Sequence, residues 1–352
     1  MQFDAKKKSL LQRIPRTAQV GMIAVAWLFL ITMLHYLVNY DSGDGRPVVR
    51  MGYMPVITNL AAPLLDRGPR EAEDIRFTAV KFASFAEMAE ALRDGNIEAA
   101  FIIAPLAIVL RQQGEDVKVV YIGNRHESTL VVRADLNATR IEDLANRTVA
   151  VPMRYSGHNL SIRQLAEQHG LGGQINVVEM NPPDMPAALF SGALDAYYVG
   201  EPFAAQTLQN GSAETLFYVE DVWPNFICNV MLVKQSFIDA HPDLVRKLVQ
   251  GAARSGLWAK NNLPEAAVVA ASYWNQSPAL VKYALTNPGK DRVVFDRFIP
   301  MPEELQHMAK LMVRYGLAET DNIDGLVENR FAKEASLQGI EGADTILKPQ
   351  SK

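Results

Sequence analysis

Two segments of the chain carry the same succession of structural signals, and this repetition limits the folds that the chain can adopt. The segments run over 85–105 and 184–203. Each begins with a helical pattern, stops at a glycine (Gly95 or Gly192) and continues as an apolar strand into a turn that contains proline. A helix, a glycine stop and a strand in this order are typical of α/β proteins.

The turns that end these two strands predict a ligand-binding cleft. The first strand ends at Ala104-Pro105 and the second at Gly200-Glu201-Pro202. Open α/β sheets bind small ligands at the carboxyl ends of their strands, where backbone N–H groups are exposed. Two matching units therefore suggest two lobes that face each other across a cleft, an arrangement that captures ligands without needing to perform chemistry.

Composition argues against several functional classes. The 352 residues carry 35 Lys and Arg against 39 Asp and Glu, a net charge of −4, which does not indicate nucleic-acid binding. Cys228 is the single cysteine, so neither an internal disulfide nor a cysteine-cluster metal site is available. The six histidines have no close ligand spacing, and the chain has neither a Gly-x-Ser-x-Gly elbow nor a P-loop. We therefore predict a protein that is not an enzyme, with no metal and no cofactor.

The N-terminus predicts a membrane segment. Basic residues precede an apolar run from Val20 to Val38, and Asp41 and Asp44 follow it. The run is long enough to span a bilayer. The positive-inside rule makes residues 1–17 a cytoplasmic tail, 18–38 a transmembrane anchor, and the remainder a domain at the extracytoplasmic face of the membrane. A cleaved signal peptide is the alternative, although the run is longer than usual for one.

The remaining chain is predicted to form two lobes. Residues 39–47 are polar and rich in Gly and Pro, as in a linker. Alternating strand and helix patterns assign 48–132 and 226–345 to the first lobe and 133–225 to the second. Two crossings between lobes predict a hinge of two strands.

The chain resembles the periplasmic solute-binding proteins of ABC importers for nitrate, sulfonates and taurine, over about 48–335. The resemblance rests on motifs in a matching order: Gly52-Tyr53-Met54-Pro55, Asn59, Pro63-Leu64, Ala83-Ser84, Gly95 to Ala100, Ala104-Pro105, Gly192 to Pro202 and Asp324 to Phe331. It implies a type 2 periplasmic binding fold whose two lobes close on a small, often anionic, solute. The implied partners are an ABC permease and its ATPase.

Candidate ligand-binding residues lie at the predicted strand ends and helix starts. Segment 154–159 follows a strand and opens a helix, where N–H groups and the helix dipole favour anions, and an arginine there can pair with a sulfonate or carboxylate. The other candidates cap helices, form the Gly-Glu-Pro turn or lie on the returning hinge strand. The complete set is Thr58, Asn59, Ser84, Arg154, Ser156, Asn159, Gly200, Glu201 and Asn229.

Each candidate also has a purely structural interpretation. Thr58, Asn59 and Ser84 can simply cap helices, and Glu201 can be a turn residue or an ion-pair partner. The functional prediction is an extracytoplasmic protein that captures a small anionic solute for an ABC importer. The alternative is a membrane-tethered sensor or accessory protein that uses the same cleft without transport.

Overall fold

The computed structural model describes residues 15–39, 45–68, 75–289 and 292–347. The chain divides into two compact units between Arg46 and Pro47. The predicted basic tail and the predicted linker fall largely outside the described residues.

The described part of the first unit contains helix α1 (Arg16–Asn39). Its segment Arg16–Tyr36 has a mean hydropathy of 1.9 and is unburied within the protein. At about 1.5 Å per residue such a helix spans roughly the hydrocarbon core of a bilayer. By length and composition, α1 is therefore able to cross a membrane, and it contains the apolar run predicted from the sequence.

The second unit alternates strands and helices. Its strands are β1 (Val48–Tyr53), β2 (Arg76–Lys81), β3 (Ala99–Ile103), β4 (Val117–Ile122), β5 (Ser128–Arg133), β6 (Thr148–Val151), β7 (Asn176–Glu179), β8 (Ala196–Gly200), β9 (Ala213–Tyr218) and β10 (Asn229–Lys234). Its helices are α2 (Ala61–Arg67), α3 (Phe85–Arg93), α4 (Ala104–Gln112), α5 (Gly157–Gln168), α6 (Met185–Phe190), α7 (Phe203–Gln209), α8 (Val219–Val222), α9 (Gln235–Ala240), α10 (Pro242–Asn261), α11 (Leu263–Trp274), α12 (Pro278–Thr286), α13 (Pro302–Arg314) and α14 (Arg330–Lys333).

The strands form two five-stranded sheets with the same topology. The first sheet has the order β2-β1-β3-β10-β4 and the second the order β7-β6-β8-β5-β9. In each sheet the first three strands are parallel, and the fourth runs antiparallel to both of its neighbours. Strands β3 and β8 are buried along their whole length, as expected for central strands covered by helices.

The repeated sequence units occupy matching places in the two sheets. Gly95 and Gly192 both have positive φ, 76° and 79°, just before β3 and β8. Because glycine adopts this conformation without steric cost, it ends the preceding helix and turns the chain into the strand. The structure therefore contains both predicted helix–glycine–strand units.

The crossing between sheets differs from the prediction in two respects. Strand β5 pairs with β8 and β9, so 128–132 belong to the second sheet and not to the region 48–132 assigned to the first lobe. The connection also contains three segments, because the backbone of Arg125 pairs with both Ile227 and Val294. The sequence predicted only two connecting segments. The third, around Val294, was missed because it lies far along the chain in a region with a helical pattern.

Arg125 fixes this three-segment connection with its side chain. Its guanidinium donates to both carboxylate oxygens of Glu304 in α13, at 2.7 and 3.1 Å, and to the carbonyls of Arg297 and Asn225. Such a two-pronged Arg–carboxylate pair constrains orientation as well as distance. Helix α13 is thereby tied to the point where the chain passes between the sheets.

Candidate functional site

A pocket of about 410 Å³ lies where turns from the two sheets face each other. We call it the cleft pocket; its lining residues are Ser84, Phe85, Ala86, Pro152, Met153, Glu179, Met180, Asn181 and Asp184. These residues follow β2 of the first sheet or β6 of the second, or lie at the end of β7 and just after it. The carboxyl ends of parallel strands are where α/β sheets bind ligands. The sequence predicted the cleft at the turns after β3 and β8, whereas the lining of this pocket comes from the ends of β2, β6 and β7.

Ser84 lines the cleft pocket and also caps a helix. Its hydroxyl accepts the backbone N–H of Ala86 at 3.2 Å, which fixes the start of α3. The hydroxyl proton of Ser84 is still available for a ligand, since accepting one bond does not use it. Its structural and functional interpretations are thus compatible.

Arg154 lies beside the pocket and forms an ion pair with Glu179, which lines it. Its Nε donates to Glu179 at 2.7 Å, and its backbone N–H donates to the same carboxylate at 2.8 Å. The side chain of Arg154 is 60% exposed. Since the bond uses Nε, the two terminal nitrogens of the guanidinium are able to donate to an anion.

Ser156 and Asn159 form the start of α5. Ser156 is buried and its hydroxyl accepts the backbone N–H of Asn159 at 3.1 Å. The Asn159 amide donates to the carbonyl of Arg154 at 2.7 Å, and its oxygen accepts Arg163 Nε at 3.0 Å. These two side chains hold the turn that carries Arg154, so they support the site without lining the cleft pocket.

Three other candidates form a buried hydrogen-bonded group. Asn59 donates to the carbonyls of Met54 and Phe101, and its oxygen accepts the Asn229 amide at 2.7 Å. The hydroxyl of Thr58 lies 3.4 Å from the same oxygen. Asn59 does not cap a helix as the sequence suggested, because residues 57–59 form a 3₁₀ turn and α2 starts at Ala61. These residues join the β1–α2 loop to β10.

Gly200 ends β8 and Glu201 begins the turn that follows, and this turn contacts the β1–α2 loop. The carbonyl of Glu201 accepts the backbone N–H of Ile57 at 2.8 Å. The Glu201 carboxylate accepts Thr129 Oγ1 and the backbone N–H of Ala205, both at 2.8 Å. Glu201 is buried and does not line the cleft pocket.

Sequence analysis missed two charged residues at this turn, Arg292 and Glu127. Arg292 donates to the carbonyl of Ser128 and to Glu220, and its Nη1 lies 3.7 Å from Glu201. Glu127 is fully buried, and its carboxylate accepts the backbone N–H of Glu201 at 2.8 Å. The polar run 126–129 before an apolar strand was a signal for Glu127, whereas no sequence pattern marks Arg292.

Burial fixes the protonation states of two side chains at this centre. Cys228 is buried, and burial together with the neighbouring Glu127 raises the pKa of its thiol, which leaves the thiol protonated. Burial also lowers the pKa of His158 to about 3, so its ring is neutral at physiological pH. Among the described residues no group of three or more His, Cys, Asp or Glu is arranged to hold a metal ion.

Two α/β sheets of identical topology, a pocket at their facing strand ends and a connection of three segments define the architecture of a periplasmic binding protein. A solved structure with this fold is the ligand-binding component of an ABC-type import system from Staphylococcus aureus, with a TM-score of 0.74 and 24% identity over 83% of this chain and 100% of that one. The chain belongs to the NMT1-like family, whose model matches residues 43–273.

Curated relatives extend the comparison. The taurine-binding periplasmic protein of Escherichia coli is 26% identical over 215 residues, 57% of this chain and 66% of that protein, just under two thirds of its length. A putative aliphatic sulfonates-binding protein of Bacillus subtilis is 22% identical over 92% of this chain and 98% of its own. The nitrate import ATP-binding protein NrtC of Synechococcus elongatus is 24% identical over 61% of this chain and 36% of its own.

The same fold also occurs in an enzyme. The desulfurization enzyme DSZB has a TM-score of 0.60 and 17% identity over 82% of this chain and 99% of that one. The fold alone therefore does not separate binding from catalysis, and the residues of the site have to decide.

Proposed function

We propose that this protein captures a small anionic solute between two lobes at the extracytoplasmic face of a membrane and delivers it to an ABC importer. The observation that carries the proposal is the cleft pocket, which is lined from both sheets at the ends of their strands. We assign each sheet to one lobe, with the first lobe at about 47–126 and 226–345 and the second at 127–225. Movement of the lobes about the three-segment connection would open and close the pocket.

The pocket and the relatives together narrow the class of solute. Taurine, aliphatic sulfonates and nitrate, the compounds in the names of the relatives, all contain an oxyanion. The terminal nitrogens of Arg154 and the first N–H groups of α3 suit such a group. Glu179 and Asp184 in the lining favour a solute that also presents a hydrogen-bond donor or an ammonium group. We therefore place taurine ahead of nitrate.

Partners follow from the same comparison. One relative is the ATP-binding protein of a nitrate importer, and the solved neighbour is a component of an ABC import system. A permease and its ATPase are therefore the proposed partners. A tethered sensor that shares the cleft is the second candidate, favoured only by the membrane-spanning length of α1.

Binding is tested by thermal unfolding of the full chain in detergent micelles with taurine, methanesulfonate and nitrate. A ligand that binds only the folded state stabilises it by about 2.7 kcal/mol at a hundredfold excess over Kd. We expect the largest shift with taurine. Arg154→Gln should weaken its binding by about tenfold or more, since it removes charge-assisted hydrogen bonds.

The matched control is Arg140→Gln, another exposed arginine with acidic neighbours, which should bind taurine like the wild type. A well-folded wild type that shifts with none of the three solutes would contradict solute capture. A shift with taurine that Arg154→Gln leaves unchanged would remove Arg154 from the site.

Anchoring by α1 is tested by the mass of the mature chain. If α1 is an uncleaved anchor, we expect the protein purified from membranes to retain residues 16–39 and to stay membrane-bound in high salt, because burial of an apolar helix is not screened by ions. A mature chain that begins after residue 39 would identify the segment as a signal peptide instead. A chain with Leu28→Arg and Ile31→Arg is the control, since charges at the helix centre oppose insertion.

A further inference from the structure

A second pocket, of about 550 Å³, lies at the opposite end of β7 from the cleft pocket. We call it the β7 pocket. Its lining comes from the second half of α5, the loop that leads into β7, the first residues of β7, and Tyr315 at the end of α13. Among the described residues, none lines both pockets. Concave pockets of this size with mainly apolar walls and a few polar groups are typical of small-molecule sites.

The apolar part of this lining belongs to the packed interior. It consists of Ile162, Ala166, Leu171, Ile175 and Val177. The first four side chains are buried and Val177 is half-buried, so the core of the second sheet holds these side chains in place. An apolar group that settles on this surface removes it from water, which favours binding roughly in proportion to the area covered.

Arg163 supplies the positive charge of the β7 pocket. Its Nε donates to the side-chain oxygen of Asn159 at 3.0 Å, which holds one edge of the guanidinium. Its two terminal nitrogens have no hydrogen-bond or ion-pair partner among the described residues. A planar guanidinium held in this way can donate two parallel hydrogen bonds to a carboxylate without first breaking a bond within the protein.

The acidic residue of the lining is already paired, in contrast to Arg163. Glu167 accepts Arg314 Nη2 at 2.5 Å and the hydroxyl of Tyr315 at 3.0 Å. The second of these bonds also fixes the ring of Tyr315, which reaches the pocket from a distant part of the chain. Because the Glu167 carboxylate lies in the same lining, it repels a ligand with two negative charges more than a ligand with one. The charges of the pocket therefore suit a monoanion.

We propose that the β7 pocket is a binding site separate from the cleft pocket, and that its ligand is a small monocarboxylate with a short apolar body. The carboxylate pairs with the terminal nitrogens of Arg163, and the apolar body lies against Ile175 and the ring of Tyr315. Nitrate has no apolar part and taurine carries an ammonium group, so neither solute suits this pocket. The inference does not depend on which solute the cleft pocket binds.

The ligand class is tested on the full chain in detergent micelles by equilibrium dialysis of radiolabelled pentanoate, with empty micelles as the blank. Unlabelled pentanoate, acetate, pentanol and taurine are the competitors. Acetate keeps the carboxylate but lacks most of the apolar chain, whereas pentanol keeps the chain but lacks the charge. We expect acetate and pentanol each to displace the label at least about tenfold less effectively than pentanoate, because each loses one of the two contributions to binding. Taurine should leave the label bound.

The place of binding is tested with two variants. Arg163→Gln keeps a donor for Asn159 but loses the charged fork, and it should weaken pentanoate binding by about tenfold or more. Val177→Phe keeps Arg163 and places a larger side chain in the pocket, and it should weaken binding to a similar extent. Arg140→Gln is the matched control, an exposed arginine of the same lobe that lies outside the lining, and it should bind pentanoate like the wild type. Thermal unfolding of each variant reports whether it is folded.

Several results would overturn the inference. Pentanoate binding no greater than that of empty micelles would show that there is no such site, and this result needs no variant to fold. Acetate or pentanol as effective as pentanoate would contradict the ligand class. Displacement by taurine would place pentanoate in the cleft pocket instead. A folded Arg163→Gln or Val177→Phe protein that binds pentanoate like the wild type would show that the ligand lies outside the β7 pocket.

Discussion

Replacing Arg254 with methionine is expected to lower the free energy of unfolding by about 3 to 5 kcal/mol. Arg254 is 1% exposed and lies within α10. Its guanidinium donates to five backbone carbonyls near the C-terminus: Ile346 at 2.7 Å, Gln338 at 2.6 Å, Thr345 at 2.7 Å, Ser336 at 3.3 Å and Gly339 at 3.3 Å. Hydrogen bonds to a charged group contribute about 1.5–3 kcal/mol each, although the released carbonyls regain part of this from water.

Urea unfolding of the full chain measures this loss, and hydrogen exchange should report early opening of 336–346. The control is Arg246→Met, an exposed arginine on the same helix that pairs with Asp243 and Glu334. Surface ion pairs contribute about 1 kcal/mol or less, so this variant should stay close to the wild type. If the free energy of unfolding of Arg254→Met lies within about 1 kcal/mol of the wild-type value, the segment 336–346 is held by its apolar contacts instead.

Replacing Gly123 with alanine is expected to destabilise the protein by about 3 kcal/mol or more. A Cβ on Gly123 would lie 1.9 Å from the carbonyl oxygen of Thr58. Both partners are backbone, so no flexible side chain can move aside. The added methyl group would push the connection between the sheets away from the β1–α2 loop and disturb the contact of Ile57 with Glu201.

The matched control is Gly172→Ala, where a Cβ would meet nothing within 4 Å and φ is not positive. That change should be neutral or stabilising by a few tenths of a kcal/mol, since alanine restricts the unfolded chain. Thermal and urea unfolding of both variants provide the measurement. Equal stabilities for the two would mean that the backbone at Gly123 shifts freely, and that its contact with Thr58 does not constrain the connection.

The fold was accessible from the sequence because its signals are local. The helix–glycine–strand succession at Gly95 and Gly192 depends on periodicity and on residues that adopt positive φ, and both are visible within short windows. The apolar run that forms α1 is equally local. Ser84 and Ser156 cap their helices with side-chain bonds to residues two and three positions away, so their contacts were also within reach of sequence reasoning.

The buried centre depended on tertiary structure. Arg292 meets Ser128 and Glu201 across long stretches of chain, and the third segment of the connection pairs Val294 with Arg125. The Asn229 amide donates to the side-chain oxygen of Asn59 in another element. Two residues that the sequence offered as ligand contacts are therefore bonded to each other in the interior. A sequence specifies that a polar group is present, whereas burial and partner geometry decide whether it is satisfied internally or available to a ligand.

Glu127 and Arg154 illustrate this division most clearly. The sequence by itself determined the alternation of helices and strands, the glycine stops and the apolar N-terminal helix, because these depend on backbone preference and local hydrophobic pattern. Only the tertiary structure decided that the side chain of Arg154 is exposed beside the cleft pocket and that Glu127 is fully buried. Folding sets how far a side chain lies from other charges and from solvent. These distances determine the pKa of a carboxyl group and whether a guanidinium is free to bind a ligand.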